Sequence, residues 1–152
     1  MLVKRIRTVT TLRRLPSARF INRWNFPSVK WQKNLKLLDW GITAKVVDDT
    51  EYEILEVSAG VNKGESSGFN YVTADRCQSD IFIKKSCPDY ELYLIHELVH
   101  ILLNPLDDIS VSMLNCIPNV TGDKLLSTQR TDALEKTNWN VTRALYNLNK
   151  GE

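Results

Sequence analysis

From Leu92 to Leu103 the chain reads LYLIHELVHILL, and this run constrains the fold more than any other. A helix that is apolar all round has no face to offer water and is buried, so the rest of the chain must wrap around these residues. Inside the run sit both histidines of the sequence, His96 and His100, with Glu97 directly after the first. Residues four apart share one helix face, with Cβ atoms about 5–6 Å apart, so two imidazoles can reach a single ion. An ionised Glu97 buried between them would be strongly unfavourable without compensation. A metal ion supplies that compensation. The His-Glu-x-x-His spacing is the one in which two histidines hold zinc while the glutamate, projecting beside the ion, takes a proton from the attacking water.

Local signals bound the helix at about 88–103. Ser86 and Asp89 fit the S/T-x-x-D/E capping pattern, and Pro88 falls in the first turn, where its missing N–H is harmless. Asn104-Pro105 closes the segment, because proline disfavours helical geometry in the residue before it.

With 152 residues, 43% of them hydrophobic, the chain suits one domain with a substantial core. Glu97 and the histidines interrupt the longest apolar stretch before it reaches the ~18 residues of a membrane span. Cys77, Cys87 and Cys116 are an odd number without C-x-x-C spacing, so neither a disulfide framework nor a zinc ribbon is indicated. A reducing cytoplasm and a monomer are expected. The sequons at Asn119 and Asn140 matter only in a secretory protein, and no secretory signal peptide is recognisable.

Charge divides the chain. Residues 1–38 hold ten Lys or Arg and no acid, whereas residues 39–152 hold ten basic and eighteen acidic residues. Residues 1–22 read as a basic extension ahead of a domain spanning 23–152. Three readings of the extension stand open: a transit-like segment, an arm contacting nucleic acid, or a solvated extension that folds back on the acidic body.

The middle of the chain reads as a helix followed by a small sheet. Ser28 can cap a helix presenting Trp31, Leu35 and Leu38, with Gly41 as its stop. Short β-like runs follow at Ile42–Val47, Tyr52–Ser58, Phe69–Ala74 and Asp80–Lys84, with Asp48-Asp49 as a turn. Gly60 to Gly68 forms a connection that lacks the spacing of a phosphate loop. A last helix over about 131–149 carries an apolar stripe of Leu134, Val141, Leu145 and Leu148. The expected class is α+β: a small, mostly antiparallel sheet on the buried motif helix, with one helix at each end of the chain.

A zinc site of catalytic type needs a third protein ligand and an open position for water. No histidine remains, so a carboxylate is the natural choice. Glu135 is the only glutamate between the motif and the C-terminal Glu152. Asp132, one turn earlier, is the runner-up, and Cys116 is a less favoured thiolate.

The segments LKLLDWGITAKVVDD, YLIHELVHILLNPLD and a glutamate ahead of VTRALYNL together resemble the minimal gluzincin-type zinc metallopeptidases, small single-domain proteins often encoded by phages and bacteria. The resemblance covers about Trp31 to Leu148, and HELVH is its specific part. It implies a minimal zincin-like fold, zinc on His96, His100 and Glu135, catalysis by Glu97, and Asp80–Lys84 as the rim strand that pairs with an extended peptide. Larger gluzincins place an aspartate four residues after the ligand glutamate to orient a histidine; this chain has Trp139 there. Asn138 or a backbone carbonyl must then serve. The expected activity is hydrolysis of peptide or protein substrates by a Glu-activated water, with Tyr71, Tyr90, Tyr93, Tyr146 and Arg143 as candidates for stabilising the oxyanion. The alternative is a non-catalytic zinc protein whose basic arm contacts nucleic acid or a protein partner.

Overall fold

The computed structural model describes residues 25–59, 66–116 and 123–151; the basic extension and most of the Gly60–Gly68 connection lie outside them. Helix α1 spans Asn25–Asn34, strand β1 Gly41–Val47, helix α2 Asp49–Ser58, strand β2 Gly68–Thr73, strand β3 Gln78–Lys84, helix α3 Tyr90–Asn115 and helix α4 Asp123–Lys150. The class is α+β.

The three-stranded sheet has the order β1-β3-β2. It is mixed and not mostly antiparallel: β1 runs parallel to β3, and β2 antiparallel to it. A parallel pair requires a crossover between its members. The crossover arises because Tyr52–Ser58, expected as a strand, is the body of α2. Asp48 caps that helix by accepting from the Glu51 N–H at 2.9 Å, and Asp49 and Glu51 in the first turn suit the positive end of the helix. Tyr52 and Glu56, one turn apart, are both fully buried. A tight 3-10 turn at Ala74–Arg76 returns β2 into β3, with Cys77 in the left-handed region at φ 48°.

Helix α3 packs on one face of the sheet, where Ala44, Ile81 and Ile83 meet Leu94, Ile95, Leu98 and Val99. Trp31, Leu35 and Leu37 close the same core. Leu38, expected inward, is exposed, and Leu37 takes its place. On the opposite face α2 packs Tyr52 against Phe69, at 5.2 Å between ring centroids.

Both ends of α3 differ from the expected 88–103. The cap is Asp89, whose carboxylate accepts from the Leu92 N–H at 3.0 Å, and Pro88 precedes the helix. Ser86 instead donates its backbone N–H to Asp49 at 3.1 Å. At the other end the helix continues through Pro105 to Asn115. Proline removes one i→i−4 bond from a helix interior, but contacts beyond it hold the axis. Asn104 bonds to Asp108 at 3.1 Å, and Asp107 pairs with Arg130 of α4. α4 itself begins earlier than expected, at Asp123, and Leu148 of its predicted stripe is exposed. Among the described residues no helix is long and apolar enough to cross a membrane.

Candidate metal centre

The all-round apolar run does what its composition requires. Residues 94 to 99 of α3 are buried without a break, His96 and Glu97 among them. α4 lies along α3 with Asn138 and Thr142 fully buried between the helices, and that packing fixes which α4 side chains look toward the histidines. Glu135 does. Its Oε1 lies 3.1 Å from His100 Nε2 and its Oε2 3.5 Å from His96 Nε2, while the two Nε2 atoms are 3.2 Å apart. His96, His100 and Glu135 are the one group of potential metal ligands among the described residues. Asp132 is exposed a turn away, and Cys116 is exposed at the end of α3.

The cluster is arranged around positive charge. Hydrogen bonds from His100 and then His96 pull the Glu135 carboxyl down to about 2. Burial opposes protonation of His100, but the Glu135 hydrogen bond and the charges of Glu97, Glu135 and Asp107 outweigh it and raise the imidazole. A divalent cation would replace a proton there, since metal ligands bind in their deprotonated forms.

Glu97 stands apart from the three clustered donors. Burial pushes its carboxyl up, against the opposing charges of His100 and His96. Two residues of β2 hold it. Asn70 Nδ2 donates to Glu97 Oε2 at 2.8 Å and to the Glu97 backbone carbonyl at 3.2 Å. Two positions earlier, and therefore on the same sheet face, a Cβ at Gly68 would lie 3.3 Å from Glu97 Oε1. Sequence reasoning missed both residues. The available hint was a glycine followed at i+2 by a short amide within a strand, a pattern with no spacing rule attached to it.

The ring of His96 is fixed by aromatic contact. Trp139 stacks on it at 4.1 Å and 29°, and Tyr93 meets the edge of Trp139 at 5.5 Å. His96 Nδ1 is buried and makes no hydrogen bond among the described residues, and the same holds for Asn138 Nδ2. Asn138 accepts from the Thr142 hydroxyl at 3.1 Å and does not bond to His96. Trp139 thus meets His96 through its ring face and not through a hydrogen bond.

A cleft of about 570 Å³ opens over the site, lined by Ser66, Gly68, Asn70, Val72, Asn104, Asp107, Thr131 and Leu134 as well as the cluster and Glu97. None of the five oxyanion candidates lines it. Tyr90 donates to the Lys85 carbonyl at 2.6 Å, Tyr146 bonds to Asp89, Tyr93 packs on Trp139, and Arg143 sits over Trp139. Tyr71 borders a groove shared with Thr43 and Asp80.

The rim strand is also different from the expected one. Asp80–Lys84 belongs to β3, which is central and paired on both sides. β2 is the edge beside the cleft. The Lys84 N–H bonds to the Ser67 carbonyl at 2.9 Å, so in this antiparallel register Phe69, Tyr71 and Thr73 exchange bonds with β3. Gly68, Asn70 and Val72 then direct their backbone N–H and C=O groups away from β3.

No known family, curated protein or solved structure matches this chain.

Proposed function

We propose that this protein is a zinc-dependent metallopeptidase of the gluzincin type, with His96, His100 and Glu135 as ligands and Glu97 as general base. The observation that carries the reading is the arrival of Glu135, from a separate helix, at both histidines of the HELVH segment.

The donor chemistry and spacing support zinc. A tetrahedral ion with bonds of about 2.0–2.2 Å has ligand atoms roughly 3.3–3.5 Å apart; the two imidazole Nε2 atoms are 3.2 Å apart, and each has a different oxygen of Glu135 within 3.5 Å. Two imidazoles and one carboxylate leave a fourth position for water, as a hydrolytic site requires. When bound, the ion would act as a Lewis acid toward a carbonyl and lower the pKa of water.

The chain's own groups divide the remaining tasks. Glu97, on the same helix as the histidines but outside the donor cluster, accepts the proton of the attacking water and passes it to the leaving amine. The outward backbone groups of Gly68, Asn70 and Val72 offer an extended peptide an edge to pair with, which is strand addition. Main-chain pairing favours an unfolded or extended substrate segment over a compact one.

The test is metal analysis of purified protein followed by assay on a mixture of internally quenched peptides. About one zinc per chain is expected, with cleavage abolished by a chelator and restored by zinc. Glu97→Gln should keep the metal and lose about 10²–10⁴-fold in rate. Glu135→Ala and His100→Ala should both lose metal, and Asp132→Ala should not. Loss of zinc from the Glu97→Gln protein would make Glu97 a ligand and sink the assignment.

A further inference from the structure

We propose that Asn70 is the positioning residue for Glu97: its side-chain amide holds the carboxylate beside the metal position and keeps it from becoming a fourth ligand. This deepens the reading above and rests on His96, His100 and Glu135 binding a metal.

Glu97 directly follows His96 in sequence and is buried at the floor of the cleft. A carboxylate so close to a divalent ion in a region of low dielectric is itself a good ligand. If it bound, the water position would be lost. Something must therefore hold it aside, and the described residues supply one side-chain donor for the task. The two N–H bonds of the Asn70 amide reach Oε2 and the backbone carbonyl of the same glutamate, at 2.8 and 3.2 Å. Gripping both ends of one residue fixes its side-chain torsions, whereas a single bond would let the carboxylate pivot. The other oxygen faces Gly68, where the missing side chain leaves the room it occupies. A glycine and an asparagine on the same face of β2 form a cradle for the base.

The same residue also faces the substrate. In the β2 register the backbone N–H and C=O of Asn70 point away from β3, into the position of an added strand. The peptide and the base are thus set by opposite ends of one residue, and seating the substrate on β2 fixes its distance to Glu97 without any intermediate element.

Cobalt(II) in place of zinc reads this directly, because its visible absorption weakens as coordination number rises. Four proteins are compared: the parent, Asn70→Ala, Glu97→Gln and the double variant. We expect Asn70→Ala to weaken and shift the cobalt spectrum, because the freed Glu97 enters the coordination shell, and to reduce peptide kcat by about 10²-fold with KM little changed. In the Glu97→Gln background, removal of the Asn70 amide should change neither quantity, since a residue that acts only through another is silent once that other is gone. Asn70→Asp, which keeps the shape and replaces the donor by a like charge, gives a second variant if Asn70→Ala does not fold. A cobalt spectrum that is the same in the parent, Asn70→Ala and Asn70→Asp overturns the proposal, as does an equal effect in both backgrounds. If no peptide is cleaved by the parent but the spectrum responds as expected, the positioning role stands and the peptidase reading falls.

Discussion

At the scale of single residues, what could be read from sequence was what spacing encodes. His96, Glu97 and His100 are legible because helix geometry turns an interval of four into a shared face, and Glu135 because so few glutamates follow the motif. Asn70 and Trp139 were not, since each acts across a contact between elements far apart in sequence, and no interval announces it. The enclosure of Glu97 leads to a prediction about the metal-free protein. Its carboxyl is raised in the fold by burial, so ionisation opposes folding. The associated stability is present in full below the ordinary carboxylate value of 4.5 and is lost as pH rises through the raised value. Glu97→Gln, neutral and of the same shape, should therefore melt at a higher temperature than the parent apoprotein at neutral pH. The advantage should shrink toward pH 4. A constant difference across that range in thermal melts followed by circular dichroism would show that the enclosure carries no electrostatic penalty.

Among elements, the misreadings share one cause: local preference was weighed without the packing that overrides it. Tyr52–Ser58 carries Tyr, Ile and Val, residues that suit a strand, yet the Asp48 cap and the burial of Tyr52 with Glu56 select a helix. Pro105 is a sound stop signal in isolation, but α4 braces the helix on its far side. Two substitutions test these accounts. Asp89→Ala removes the α3 cap and the acceptor for Tyr146, and should lower stability by about 1–2 kcal/mol in urea titrations. Burial works against the Asp89 charge, but the Tyr146 and backbone hydrogen bonds prevail and lower its carboxyl below 3.8. This contribution is thus present above 3.8 and fades only as pH falls through the lowered value. Pro105→Ala restores an N–H to the middle of α3 and should raise stability by about 1–3 kcal/mol, because interior proline costs about 3 kcal/mol in a helix. A chain that ended its helix at Asn104 would instead be unaffected or weakened by the same change, through greater freedom of the unfolded state.

For the molecule as a whole, the donors come from two helices that are held together mainly by their own packing. A metal shared between α3 and α4 would act as a cross-link, and ligand-linked stability follows mass action: at about 1,000 times the dissociation constant, free zinc adds roughly 4 kcal/mol. Chelation should lower the melting temperature and increase hydrogen exchange first in α4. Exchange that rises uniformly would mean that the helices do not depend on the site. If His96, His100 and Glu135 hold a metal as proposed, their division between α3 and α4 would also set an order of events in synthesis. A chain that has emerged only as far as the end of α3 carries the two imidazoles but not Glu135, and a two-histidine fragment selects poorly among divalent ions. On the proposed ligand set the metal would be acquired late, when α4 docks, and a chain cut short before Glu135 would lack its third ligand, so that the last helix would double as a check on synthesis through that point.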